Sequence, residues 1–173
     1  MITLITGGSK CGKSALAERI TCGFSGRKFY IATMKPYGEE AFSAIERHRE
    51  MRQGKGFETI EKYTDLSEII LPEKSAVLLE CMGNLCANEM FAENKIINPV
   101  EKIVGDIKYL AEISEYLTIV TNKVGSDGIS YSKETEKYIS HINKINRRIS
   151  RFADNVIECV YGIPVILKGE LCY

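Results

Sequence analysis

The run from Gly7 to Ser14, GGSKCGKS, constrains this chain more than any other feature. It fills the pattern G-x-x-x-x-G-K-[ST] with Gly7, Gly12, Lys13 and Ser14. Glycines allow the backbone to turn so that successive N–H groups face a bound phosphate, and a helix that starts there adds its positive end. The context suits this reading. Ile2 to Thr6 is a short β-branched run, and a helical stretch follows from Lys13 to about Cys22. Gly7, Gly8, Ser9, Lys10, Cys11, Gly12, Lys13 and Ser14 are therefore the candidate phosphate cradle. In it, Lys13 sets a cation against the β and γ phosphates, and Ser14 offers a hydroxyl to Mg²⁺. The plain alternative is a glycine-rich strand-to-helix turn with an incidental Lys-Ser.

Such a site usually adds an acidic residue where an apolar strand emerges at the carboxyl edge of the sheet. Ala76-Val77-Leu78-Leu79-Glu80 supplies one, which makes Glu80 a second candidate metal contact beside Ser14. A surface glutamate at a strand end is the bland reading of the same residue.

The rest of the chain alternates. Lys28 to Thr33 reads as a second strand, and Glu39 to Gln53 as a charged helix with Phe42, Ile45 and Met51 on one side. Ala76 to Cys81 and Leu117 to Asn122 read as further strands. Helical stretches fall at about Leu85 to Phe91 and from Pro99 to about Ser114, with Pro99 suited to a first turn. Ser132 to Phe152 is the clearest amphipathic helix, its stripe made by Tyr138, Ile142, Ile145, Ile149 and Phe152. Its first turn is acidic, as the helix dipole favours. Asn155 to Val160 and Pro164 to Leu167 form a C-terminal hairpin around Gly162. Alternating strands and helices predict an α/β fold: a mainly parallel sheet with helices on both faces.

At 173 residues the chain suits one domain, 1–173, without a linker or repeat. Lys plus Arg and Asp plus Glu are both 23, so no overall basic field points to nucleic acid or an anionic membrane. No run is long and apolar enough for an integral membrane segment, and no secretion signal is evident, so a cytoplasmic protein is expected. The six cysteines lack zinc spacing and are expected as free thiols.

The order of several weaker motifs resembles the bifunctional adenosylcobinamide kinase / adenosylcobinamide-phosphate guanylyltransferase family. Its opening GGxxSGKS is echoed by Gly7 to Ser14, and its YIAT stands at Tyr30 to Thr33. Its HRxxR is His48, Arg49 and Arg52, and its aromatic-x-T-x-E is Phe57, Thr59 and Glu61, with phenylalanine in place of tryptophan. LLEC is Leu78 to Cys81, a downstream Asn is Asn88, and VTNxVG is Val120 to Gly125. Asn146, Ala153-Asp154 and the Gly162 to Pro164 turn complete it.

The resemblance spans essentially the whole chain and implies a RecA-like P-loop NTPase fold assembled as a homotrimer. It implies two reactions using Mg²⁺ with GTP or ATP. In one, a hydroxyl of adenosylcobinamide receives a phosphoryl group. In the other, GTP guanylylates a histidine, and the GMP passes to the corrinoid phosphate.

By this resemblance His48 is the nucleophile, with Lys13 as the other catalytic residue, and Thr33, Arg49, Arg52, Glu61 and Glu80 join the phosphate loop as nucleotide contacts. A neutral imidazole is a competent nucleophile near neutral pH, and neighbouring arginines offset phosphate charge. From spacing alone a histidine in a charged helix reads as a solvated surface residue. His141, bordering the apolar stripe, reads as packing or surface. Arg147, Arg148 and Arg151 read as the wet face of their helix, though they could meet phosphate or a neighbouring subunit.

The chain departs from the pattern at Gly83 (usually Thr), Lys123 (usually Glu), Asp127 (usually Gly), Ser130 (usually Pro) and Glu136 (usually Arg). Gln53 replaces a proline, and one extra residue precedes Phe57. Two alternatives therefore stand beside the leading one: a P-loop kinase for another small hydroxylated acceptor, and a nucleotide-binding regulatory paralogue without turnover.

Overall fold

The computed structural model describes residues 1–92, 96–125 and 128–171, without the side chains of Glu40, Ala41, Ala44, His48 and Met51. Asp127 and Cys172 lie outside the described residues.

Seven strands form one sheet. They are β1 (Ile2–Gly7), β2 (Arg27–Ala32), β3 (Phe57–Glu61), β4 (Ser75–Glu80), β5 (Tyr116–Val120), β6 (Asn155–Val160) and β7 (Ile163–Lys168). Their order is β3-β2-β4-β5-β1-β6-β7. All neighbours pair in parallel except β6 and β7, which form the expected antiparallel hairpin. The helices are α1 (Lys13–Cys22), α2 (Gly38–Arg52), α3 (Met82–Met90), α4 (Val100–Ile113) and α5 (Lys133–Phe152), with a 3₁₀ turn at Leu66–Glu68. One strand, β5, lies between β1 and β4, as expected of a RecA-like P-loop domain.

Strand side chains alternate faces, and the buried residues sort accordingly. Leu4, Ile31, Val77, Leu79, Leu117 and Ile119 belong to a core with residues of α3, α4 and α5. Ile5, Tyr30, Leu78, Val120 and Ile157 face the opposite way, onto Leu16, Ala17 and Ile20 of α1. Every residue of β4 is buried, so a near-continuous apolar run ends on Glu80 at the carboxyl end of this central strand.

The ends of α4 and α5 follow local chemistry. Asn98 Oδ1 accepts from Val100 N at 3.1 Å just after Pro99, and Ser132 Oγ accepts from Thr135 N at 3.3 Å. Ile142, Ile145 and Ile149 of the α5 stripe are fully buried.

Two expectations need correction. β3 is a strand that periodicity did not reveal, because at the sheet edge it exposes both Glu58 and Thr59 and keeps no clean apolar alternation. Phe42 is 58% exposed rather than packed, because α2 covers a cavity mouth and not the main core. Among the described residues no helix is long and apolar enough to cross a membrane.

Candidate active site

β1 delivers the chain to the carboxyl edge of the sheet, where it must turn sharply into α1. At Gly7 an added Cβ would sit 2.6 Å from both Cys11 Sγ and the Cys159 carbonyl oxygen, so only glycine fits. Gly12 has φ +94° and caps α1, and its Cβ position lies 3.2 Å from Gly162 Cα. The hairpin thus forms the back of the loop: Gly162 N donates to the Cys11 carbonyl at 2.8 Å. No side chain caps the N-terminus of α1, which leaves its positive end to serve an anion.

Lys13 is buried, and its Nζ donates to the Gly8 carbonyl at 2.8 Å. Next to it the Ser14 hydroxyl donates to Glu80 Oε1. Parallel pairing of β2 with β4 sets Ala32 beside Glu80, and two residues back Tyr30 donates its hydroxyl to Glu80 Oε2 at 3.2 Å. Burial, and then the nearby Glu80 charge, push the Tyr30 hydroxyl well above its ordinary pKa, so it stays a donor.

Arg52, from the last turn of α2, lays its guanidinium over the Tyr30 ring, 3.4 Å from the centroid. It is 7% exposed, and its Nη1 is buried with no hydrogen-bond partner. A buried cation with a spare donor favours an anion beside it.

These groups line one cavity of about 640 Å³, within the range of small-ligand sites. Ser9, Lys10, Cys11, Gly12, Lys13, Ser14, Arg52 and Glu80 of the expected residues all line it. Gly7, Gly8, Thr33, Arg49 and Glu61 do not. Thr33 is buried, donating its hydroxyl to the Cys81 carbonyl at 2.8 Å, while Asn88 donates to the Thr33 carbonyl at 2.8 Å. That clip fixes the start of α3 against the end of β2. Arg49 pairs with Glu61 at 3.1 Å, both more than half exposed. Arg49 instead lines a second depression, whose other wall shares Arg52 with the cavity. His48 falls on α2, but its side chain lies outside the described residues.

Sequence reasoning missed the roles of Tyr30, Arg47, Asn84 and Asn122, all of which line the cavity. Tyr30 carried a signal, since a phenol in a buried strand needs a hydrogen-bond partner, and Asn122 stood inside the VTNxVG match.

Two of the departures find partners. Lys123 Nζ donates to Glu158 Oε1 at 2.9 Å, so the reversed charge is paired and does not line the cavity. A Cβ on Gly83 would lie 2.9 Å from the Tyr138 hydroxyl, which instead donates to the Gly83 carbonyl at 3.3 Å. Ser130 and Glu136 are exposed. Of the arginine cluster, Arg148 pairs with Glu101 of α4.

A solved ATPase from the type III secretion system of pathogenic bacteria superposes on 91% of this chain and 50% of its own, with a TM-score of 0.49 and 11% identity. Among curated proteins, the bifunctional adenosylcobalamin biosynthesis protein CobU of Escherichia coli (strain K12) is 29% identical, over 97% of this chain and 100% of its own length. Its counterpart in Salmonella typhimurium is 28% identical over the same shares. The bifunctional adenosylcobalamin biosynthesis protein CobP of Pseudomonas aeruginosa is 25% identical, over 98% and 99%. The family model described as cobinamide kinase / cobinamide phosphate guanyltransferase matches residues 3–167, which takes in the phosphate loop, Glu80 and nearly all of β1 and of the hairpin. This chain therefore belongs to the cobinamide kinase / cobinamide phosphate guanyltransferase family.

Proposed function

We propose that this protein phosphorylates adenosylcobinamide with ATP or GTP and then transfers GMP from GTP to the product. The observation that carries the reading is the convergence of Lys13, Ser14, Arg52 and Glu80 on one cavity, in a chain of this family. The cradle from Gly7 to Ser14 binds the phosphates, and Lys13 offsets charge on the transferring group. Arg52 holds a further phosphate oxygen through its spare donor.

The donor set fits a hard cation. Ser14 and Glu80 offer adjacent oxygens, and among the described residues no group of three or more His, Cys, Asp or Glu could enclose a metal. That suits Mg²⁺, which keeps water and nucleotide phosphates as its remaining ligands. Ser14 and Glu80 would hold it, and when bound it neutralises charge developing on the phosphate oxygens.

For guanylyl transfer we assign His48 as the nucleophile. Ile45 and Arg52, three residues before it and four after on α2, both line the cavity. Attack of an imidazole nitrogen on the α-phosphorus of GTP forms the N–P bond, breaks the bond to the bridging oxygen and releases pyrophosphate. We assign the Arg49–Glu61 pair to the rim beside this segment, while Thr33 holds α3 against β2.

The paired states of Lys123 and Gly83 favour an active enzyme over a regulatory paralogue, since these departures leave the cavity lining intact. A homotrimer is proposed with it, supported by the apolar side chains that β7 exposes, among them Ile163 and Leu167. A monomeric mass in solution would remove that part.

The acceptor is tested by incubating the protein with adenosylcobinamide, Mg²⁺ and ATP or GTP labelled at the γ-phosphate. Label is expected in adenosylcobinamide phosphate, and nucleotide turnover without labelled corrinoid would reject this acceptor.

A further inference from the structure

Two thiols meet where the phosphate loop rests on the hairpin. Cys11 lines the cavity, and Cys159 of β6 lies behind it, 1% exposed. Both are free. The Cys159 thiol donates to the Cys11 carbonyl at 3.2 Å. Cys11 Sγ and the Cys159 carbonyl oxygen each lie 2.6 Å from the point a Gly7 Cβ would occupy, so the two atoms are separated by at most twice that distance. The pair is 148 residues apart in sequence, brought together by β1–β6 pairing, which sets Gly7 beside Cys159. The family pattern has serine where Cys11 stands, so the pair belongs to this chain rather than to the motif.

We propose that Cys11 and Cys159 are an oxidisable pair whose disulfide locks the phosphate loop and lowers nucleotide affinity. The oxidant class is a peroxide. Cys11, partly exposed at the cavity, reacts first: its thiolate sulfur attacks hydrogen peroxide, the O–O bond breaks, and Cys11 becomes a sulfenic acid as hydroxide leaves. The Cys159 sulfur then attacks Cys11 Sγ, forming the S–S bond and breaking the S–O bond. The departing hydroxyl takes up the Cys159 proton as water. Two thiols and one peroxide give one disulfide and two waters. Burial raises the pKa of the Cys159 thiol, which suits it to the resolving rather than the sensing role.

The cost falls on the loop. Losing its proton, Cys159 no longer donates to the Cys11 carbonyl, and the Cys11 side chain is drawn from the cavity wall toward β6. Backbone N–H groups that must converge on phosphate are then held in the wrong set of angles.

The test uses the full chain, reduced or treated with hydrogen peroxide, with remaining thiols trapped before digestion. Peptide mass mapping is expected to find the Cys11 and Cys159 peptides joined and two hydrogens lighter than their sum. Binding of a fluorescent GTP analogue is expected to weaken by about tenfold or more, some 1.4 kcal/mol, and to recover with dithiothreitol. Cys159→Ser keeps a donor toward the Cys11 carbonyl. It is expected to bind the analogue as reduced wild type does and to ignore peroxide. No cross-link, a cross-link through another cysteine, or the same peroxide loss in Cys159→Ser would overturn the proposal. The wild-type map decides the pairing even if that variant folds poorly, and analogue binding by the reduced protein separates a failure here from a failure to bind nucleotide.

Discussion

Replacing Lys13 with alanine is expected to lower phosphoryl transfer to adenosylcobinamide by about a thousandfold while leaving the fold intact. Lys13 is a buried ammonium at the start of α1, and among the described residues its Nζ donates to the Gly8 carbonyl. Such a contact holds the side chain against the loop but carries little of the fold's stability. Charge that builds on the transferring phosphoryl group is what an ammonium in this position meets. Removing one preorganised donor of that kind typically costs a factor of about 10²–10³. Steady-state rates beside a circular dichroism melt check both halves. A melt that falls with the rate would make Lys13 a structural lysine.

Glu80→Gln is the second large effect, and it should be read through magnesium. The carboxylate accepts from Ser14 on one oxygen and from Tyr30 on the other, at the end of a wholly buried strand. Glutamine keeps the shape, removes the charge and puts an NH₂ where one of those hydroxyls donates. Turnover is expected to fall about 100-fold, with the Mg²⁺ concentration for half-maximal rate rising. A loss of rate with unchanged magnesium dependence would limit Glu80 to positioning Ser14 and Tyr30.

The phosphate loop was legible because its demands are local: glycines, a lysine and a hydroxyl within eight residues, between a strand and a helix. Glu80 was legible for a similar reason, as the first charge after an apolar run. Arg52 over Tyr30 was not, because that contact depends on how α2 packs across β2, and no spacing in the sequence encodes it. The same holds for Lys123 and Glu158, 35 residues apart, whose pairing turns an apparent charge reversal into a closed ion pair. β3 escaped because an edge strand with exposed charges has no period to read. His48 is the opposite case: a motif singled it out, and the fold contributes its helix and the cavity-lining neighbours at 45, 47 and 52.

We assign both transfers to the cavity beside the phosphate loop, with His48 carrying GMP between GTP and the corrinoid. Wild-type protein and His48→Ala are incubated with GTP labelled at the α-phosphate. An acid-labile, alkali-stable covalent label is expected on wild type and none on the variant, which still phosphorylates adenosylcobinamide. A wild-type protein that takes up no label, or a variant that labels as well as wild type, would contradict it.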